Sequence, residues 1–236
     1  MVLLLWDALG ASESWNGWSL NNNNDRYQRE RLPVTPPSTK TEFKQLWYTK
    51  LDGAVEVTPT VYGQYVYVTT FSGSFYCLRA DNGMILWQKN LTDTINNGRL
   101  YGSRTSPLIY DNMVIMGLSD GSLFQLVGGY GGYAVAFNRF TGVLLWRTRV
   151  STHPASVITA TPQLVDDGLF IGISSREESL TVNPAYPCCS FQGSVIALKA
   201  STGKFLWERR MAPDNNGTIT GYSGKLKKKI IREHTT

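Results

Sequence analysis

Leu78-Arg-Ala-Asp-Asn-Gly-Met-Ile-Leu-Trp87 decides the fold, because it returns as Ala136-Phe-Asn-Arg-Phe-Thr-Gly-Val-Leu-Leu-Trp146 and as Ala197-Leu-Lys-Ala-Ser-Thr-Gly-Lys-Phe-Leu-Trp207. Each copy runs from an apolar strand end through a polar pair to a Gly, and places a Trp four residues after that Gly. The three tryptophans are 59 and 61 residues apart, and Trp47 precedes Trp87 by 40. Upstream of the copies stand Thr58-Pro59, Ser106-Pro107 and Thr161-Pro162, each followed by short β-branched or aromatic runs.

Self-similarity at a fixed period marks a repeat architecture. The first unit reads as four short strands, 58–62, 65–69, 74–79 and 84–90, broken at Gly63-Gln64, Ser72-Gly73 and Asn82-Gly83, dipeptides that make tight turns between alternating strands. The second unit breaks at Asp111-Asn112, Asp120-Gly121 and Thr141-Gly142; the third breaks at Asp167-Gly168 and Thr202-Gly203, with a long insertion over 176–187. Gly128-Gly-Tyr-Gly-Gly132 falls between strands, not between a strand and a helix, so it reads as a loop insertion and not as a phosphate cradle. No amphipathic helix is expected. Four-stranded units of this kind are β-propeller blades, and a closed ring needs roughly four to eight of them. The expected fold is therefore all-β, an incomplete propeller of about three blades in an open arc. Each end exposes a blade edge, through which the chain is expected to self-associate.

Composition removes other classes. Of the 236 residues 42% are hydrophobic and only 17% charged, against about 25% charged in an average domain, which argues against disorder and long solvated helices. The net charge of +5 hints at an acidic partner, but 225–236 hold five Lys or Arg and one Glu, leaving +1 for everything else. No aromatic stacking platform interleaved with Lys or Arg is visible, so no nucleic-acid partner is expected. No stretch approaches the ~18 apolar residues of a membrane-spanning helix, so no transmembrane segment is expected. Met1 to Trp6 are apolar but short for a signal peptide, and 1–14 is read as an N-terminal segment or signal remnant. Three cysteines are too few and too oddly spaced for a secreted disulfide framework or a zinc site.

The Gly-x-x-x-Trp repeat, the upstream Thr-Pro and the adjacent Cys188-Cys189 together resemble the quinoprotein alcohol dehydrogenases, eight-bladed propellers that use pyrroloquinoline quinone (PQQ). The polyvinyl alcohol dehydrogenase-like branch is the most similar. The residues carrying this are Ser174-Ser-Arg-Glu-Glu178, Pro187-Cys-Cys-Ser-Phe-Gln-Gly-Ser-Val-Ile-Ala-Leu198 and Asn16-Gly-Trp-Ser-Leu-Asn-Asn-Asn-Asn-Asp-Arg-Tyr27. The resemblance covers 15–224, read as one incomplete propeller, and leaves 225–236 as a basic tail outside the fold. It implies oxidation of an alcohol substrate with hydride transfer to PQQ, a Ca²⁺ ion, an electron acceptor and an extracytoplasmic location.

It also implies roles for residues. Cys188 and Cys189 would form a vicinal disulfide, a flat lid stacked on the quinone; the other reading is a pair of reduced, inert thiols. Consecutive Cα atoms lie about 3.8 Å apart where ordinary bridges span 4.4–6.8 Å, so a bridge between neighbours is no ordinary staple. Arg104 would present its planar fork to a carboxylated o-quinone, or is a surface arginine. Thr159, one blade later, would bond a cofactor carboxylate or cap its strand. Ser174 and Ser175 belong to the same cofactor-binding segment. One of Glu177 and Glu178 would be the calcium ligand, since calcium takes hard oxygen donors, and the other would face solvent. His153 and His234 are read as structural or exposed. In the resembled family the general base, an amide calcium ligand and the aromatic floor come from later blades, so no catalytic residue is assigned. The chain alone is expected to lack dehydrogenase activity, with 225–236 a basic extension or the mark of a truncated or misread frame. The competing class is a cofactor-free propeller scaffold for protein contacts, like the assembly lipoprotein of bacterial outer membranes. Such a scaffold has no need of Cys188-Cys189 or of the Ser-Ser-x-Glu-Glu segment.

Overall fold

The computed structural model describes residues 45–95, 101–120, 131–183, 186–212 and 221–222. The expectations for 1–14, 16–27, Gly121, Gly128 and 225–236, with His234, fall outside them. The first unit is an antiparallel meander of β1 (Thr60–Tyr62), β2 (Tyr65–Thr69), β3 (Ser74–Arg79) and β4 (Ile85–Asn90). One helical turn, α1 (Leu91–Ile95), follows. The second unit has β5 (Tyr101–Gly102) and β6 (Leu108–Tyr110) both on β7 (Met113–Asp120), then β8 (Gly132–Asn138) and β9 (Leu144–Arg149). The third repeats this with β10 (Ser156–Val157) and β11 (Gln163–Val165) on β12 (Gly168–Ser175). A turn, α2 (Glu177–Leu180), and β13 (Pro187–Cys188) intervene before β14 (Ser194–Lys199) and β15 (Phe205–Arg210). β13 pairs with β16 (Gly221–Tyr222). The inner strand of the second and third blades is thus broken in two, and the break carries Ser106-Pro107 or Thr161-Pro162, since proline donates nothing to a ladder.

The repeat motif is explained by one construction made three times. Gly83, Gly142 and Gly203 have φ of +72°, +66° and +69°, the left-handed region that a side chain disfavours. Their N–H groups donate back to Arg79, Asn138 and Lys199 carbonyls, closing the turn between the third and fourth strands. The residue before each Gly supports it: Asn82 Oδ1, Thr141 Oγ1 and Thr202 Oγ1 accept from the N–H two residues on. The ladder then slips by one residue at Cys77/Leu78, Ala136/Phe137 and Ala197/Leu198, a bulge beside Trp87, Trp146 and Trp207. A bulge bends its strand and re-aims side chains. Trp87 and Trp146 point out of their own sheets onto the glycine turn of the next blade, with Nε1 donating to Arg139 O at 3.2 Å and Ala200 O at 3.0 Å. Trp47, outside any strand, docks on Gly83 in the same way, donating to Ala80 O at 2.8 Å.

The cores lie between sheets. Tyr67, Phe75 and Cys77 of the first blade pack on Val114, Met116 and Phe137 of the second. Ile115 and Ala136 pack on Leu169, Ile171 and Leu198 of the third, while Val66, Val68 and Leu78 face Trp47, Leu51 and Val55. Alternate residues of each strand therefore serve the seams on its two sides. In the third blade Phe205, Leu206 and Trp207 of β15 are half exposed.

Two local expectations shift. The β11–β12 turn lies on Asp166 and Asp167, one residue earlier than Asp167-Gly168. Asp166 takes φ +51°, and the Asp167 carboxylate stays in the loop to accept Ser201 N–H and Oγ–H at 2.8 and 2.9 Å. The second difference is the two helical turns. α1 forms because Asn90 Oδ1 caps Thr92 N–H and Leu91 and Ile95, four apart, are both buried.

A Cβ on Gly203 would lie 2.5 Å from Trp146 Cε3, whereas one on Gly63 meets nothing within 4 Å although its φ is also left-handed. Gly63→Ala is expected to cost about 1 kcal/mol, the backbone penalty alone, and Gly203→Ala about 2–4 kcal/mol, because the ring must also give way. Urea unfolding of the two variants measures this; equal losses would remove the packing argument.

Candidate functional site at the inner mouth of the blades

The three inner strands begin alike. Glu56, Arg104 and Thr159 each stand two residues before the Thr-Pro or Ser-Pro pair of their blade, and all three line one cavity of about 600 Å³ with Ser106, Thr161 and Gln163. Cross-blade hydrogen bonds set their spacing: Thr60 Oγ1 donates to Pro107 O, and Ser106 N–H donates to Thr161 Oγ1 at 3.0 Å. Arg104 is turned outward because its neighbours are locked inward. Ser103 and Thr105 are buried, Ser103 Oγ accepts Thr105 N–H, and Thr105 Oγ1 accepts Gly117 N–H at 2.9 Å.

Arg104 Nε lies 3.6 Å from Glu56 Oε2, both side chains being 42% exposed, and the guanidinium carbon is 5.3 Å from the centre of the Phe71 ring. So exposed a pair contributes about 0–1 kcal/mol, so the fork can be re-engaged by a ligand at little cost. Thr159 Oγ1 and Ser174 Oγ are 3.5 Å apart. Glu56 escaped the sequence reading although the signal was there, in its matching position before Thr58-Pro59.

A second cluster adjoins the end of β12. Glu177, 2% exposed, has its N–H near Ser175 Oγ at 3.4 Å. Its Oε1 accepts Tyr186 OH at 2.9 Å, Ser190 N–H at 2.9 Å and Ser190 Oγ–H at 3.2 Å; its Oε2 accepts Phe191 N–H at 3.0 Å. Between these donors Cys188 and Cys189 are bonded to each other across a cis peptide. Neither cysteine lines the cavity. Burial works to raise the Glu177 pKa, but the hydrogen bonds from Ser190, Tyr186 and Phe191 outweigh it and hold the carboxyl below the ordinary glutamate range. Burial, with the hydrogen bond to Glu177 and its charge, pushes Tyr186 up to about 12. Glu178 is exposed on α2.

His153 joins this cluster, a role its isolation in the sequence concealed. Nδ1 accepts Ala155 N–H at 3.1 Å, which places the proton on Nε2, 3.1 Å from Ser190 Oγ. Arg176 was also passed over. It is 8% exposed, and its Nε and Nη1 have no hydrogen-bond partner among the described residues.

Four-stranded sheets stacked through Trp-on-Gly seams, with polar residues gathered where the inner strands begin, define the blades of a PQQ-type β-propeller. The chain belongs to the PQQ_2 family, whose model, described as outer membrane protein assembly factor BamB, matches residues 39–183. The chain is 32% identical over 204 residues to the polyvinylalcohol dehydrogenase of Sphingopyxis sp. (strain 113P3), covering 85% of this chain and 29% of that protein. It is 28% identical over 203 residues to the polyvinylalcohol dehydrogenase of Pseudomonas sp, with the same two coverages. Among solved structures it is similar to the quinohemoprotein alcohol dehydrogenase from Comamonas testosteroni, with a TM-score of 0.48 and 20% identity over 68% of this chain and 28% of that one. The chain spans about three tenths of the length of the curated relatives it matches.

Burial holds the His153 pKa below the ordinary imidazole value of 6.5, against the opposing pull of the Glu177 charge. Because the folded pKa is the lower one, the stability linked to His153 is fully present above the unfolded value and is lost as pH falls from there through the folded value. Imidazole NMR titration is expected to give a midpoint under 6.5, with ¹⁵N shifts of the Nε2–H tautomer; a midpoint above that value would contradict the hydrogen-bond pattern.

Proposed function

We propose that these blades form part of the cofactor mouth of a PQQ-dependent alcohol dehydrogenase of propeller architecture. The observation that carries the reading is the convergence of Glu56, Arg104 and Thr159, one from each blade, on a single cavity. Its volume of about 600 Å³ falls within the roughly 300–1,000 Å³ usual for small-molecule sites. The donor set suits a carboxylated quinone. Arg104 offers a planar fork for bidentate carboxylate binding, and the Thr159 and Ser174 hydroxyls are within reach of each other.

Bound there, the quinone would supply a two-electron acceptor for hydride from an alcohol carbon. The part of this chain would be to fix the cofactor: Arg104, steadied by Glu56 near its Nε, would hold a carboxylate. The Thr159 and Ser174 hydroxyls would donate hydrogen bonds to its oxygens. Among the described residues no group of three or more His, Cys, Asp or Glu could hold a metal ion, and Glu177 Oε1 already accepts three hydrogen bonds, so no step is routed through a metal.

The reaction is proposed for a complete ring, with its alcohol substrate and electron acceptor. For this chain by itself the proposal is quinone binding without turnover. Trp207 on β15, at the position of Trp87 and Trp146, is 45% exposed and marks the surface on which a further blade, or a second copy, would dock. The Cys188–Cys189 bridge favours an oxidising, extracytoplasmic compartment. A cofactor-free scaffold is the second reading. It is favoured by the match of the BamB-described model to 39–183, which ends before the cysteine pair.

Titrating the chain with PQQ and following quenching of tryptophan fluorescence decides between them. Saturable binding is expected, weakened about tenfold or more by Arg104→Gln through loss of a charge-assisted contact, and less by Thr159→Ala. Absence of saturable binding would leave the scaffold reading.

A further inference from the structure

We propose that Glu177 is the positioning residue of the Cys188–Cys189 bridge, clamping the segment around it through the carboxylate in place of serving as a cation ligand. The donors stand on both sides of the cysteine pair. Tyr186 precedes Cys188 by two residues, and Ser190 and Phe191 directly follow Cys189, so one carboxylate closes a short loop around the bridge. An ionised carboxylate has about four acceptor positions, two on each oxygen; here Oε1 takes three hydrogen bonds and is filled, and Oε2 takes one. Two of the donors are main-chain N–H groups. A hard cation held by Oε1, or by both oxygens together, would have to displace part-buried donors from the carboxylate.

The clamp is itself anchored. α2 is a single turn that delivers Glu177 from the end of β12, and His153, from the segment leading into β10, hydrogen-bonds Ser190 Oγ from the opposite side. On the far flank Cys188 pairs with Gly221 in the β13–β16 ladder. No Lys or Arg forms an ion pair with Glu177 among the described residues, so the charge is compensated by hydrogen bonds alone. Glu178, its exposed neighbour on α2, provides the internal control.

The test uses the full chain without quinone, so its outcome is separate from that of the cofactor reading. The rate at which dithiothreitol reduces the bridge under native conditions is followed by alkylation and mass spectrometry. Glu177→Ala is expected to speed reduction at least tenfold. Glu177→Gln should be intermediate, because its amide oxygen still accepts from Tyr186 and Ser190 while its NH₂ faces the Phe191 N–H. Glu178→Gln should match wild type. In parallel, Tb³⁺ alone is titrated and its tyrosine-sensitised luminescence recorded; Glu177→Gln should leave that signal unchanged. A saturable Tb³⁺ signal lost in Glu177→Gln and kept in Glu178→Gln would overturn the proposal, as would a Glu177→Gln reduction rate equal to wild type. Should Glu177→Ala fail to fold, Tyr186→Phe removes one donor: a severalfold faster reduction supports the clamp, and an unchanged rate rejects it.

Discussion

One contact governs this architecture: an indole laid on a glycine turn of the following blade. It requires a residue without a Cβ, a left-handed backbone at that residue, a bulge that swings the Trp out of its own ladder, and a free carbonyl for the indole N–H. All four conditions recur at the Trp87–Gly142 and Trp146–Gly203 seams, and Trp47 meets Gly83 by the same rule. Threonine reinforces two of them: Thr49 and Thr148 hydroxyls donate to the carbonyls of Gly83 and Gly203 at 2.7 and 2.6 Å. The apolar seams gain area only if the sheets stand at the separation this contact sets.

That spacing reaches the inner mouth. With the outer strands pinned by tryptophan and the inner ones tied by Thr60 to Pro107 and Ser106 to Thr161, neighbouring blades have little freedom to slide. Glu56, Arg104 and Thr159 consequently meet as a consequence of the repeat, and each blade is free to vary the side chain at that one position. The cavity is built from three equivalent places occupied by an acid, a base and a hydroxyl.

Much of this was legible in the sequence, because the determinants are local. The Gly-x-x-x-Trp spacing encodes turn, bulge and docking together, and the strands at 65–69 and 74–79 follow from alternation between turn dipeptides. Arg104 and Thr159 were found by the same repeat, which also marks Glu56 once the position before Thr-Pro is compared across all three blades. The Glu177 cluster was not legible. Tyr186, Ser190 and Phe191 have no periodic relation to Glu177, and only closure of an irregular loop brings them to its oxygens. His153 was hidden for the same reason, since its partners Ala155 and Ser190 are a local turn and a residue 37 positions away. The displaced turn at Asp166–Asp167 reflects a tertiary demand, the hydrogen bonds to Ser201, overriding the preference for glycine.

Cys77 sits at the heart of the first seam, fully buried against the second blade, where burial pushes its thiol up to about 12. With Cys188 and Cys189 bonded to each other, it is the one free thiol of the chain. A neutral, enclosed thiol is inert to alkylating reagents until its surroundings part. The molecule thus carries its own chemical clock for blade separation: the pace at which this single sulfur becomes reactive counts the openings of one seam, with no label introduced.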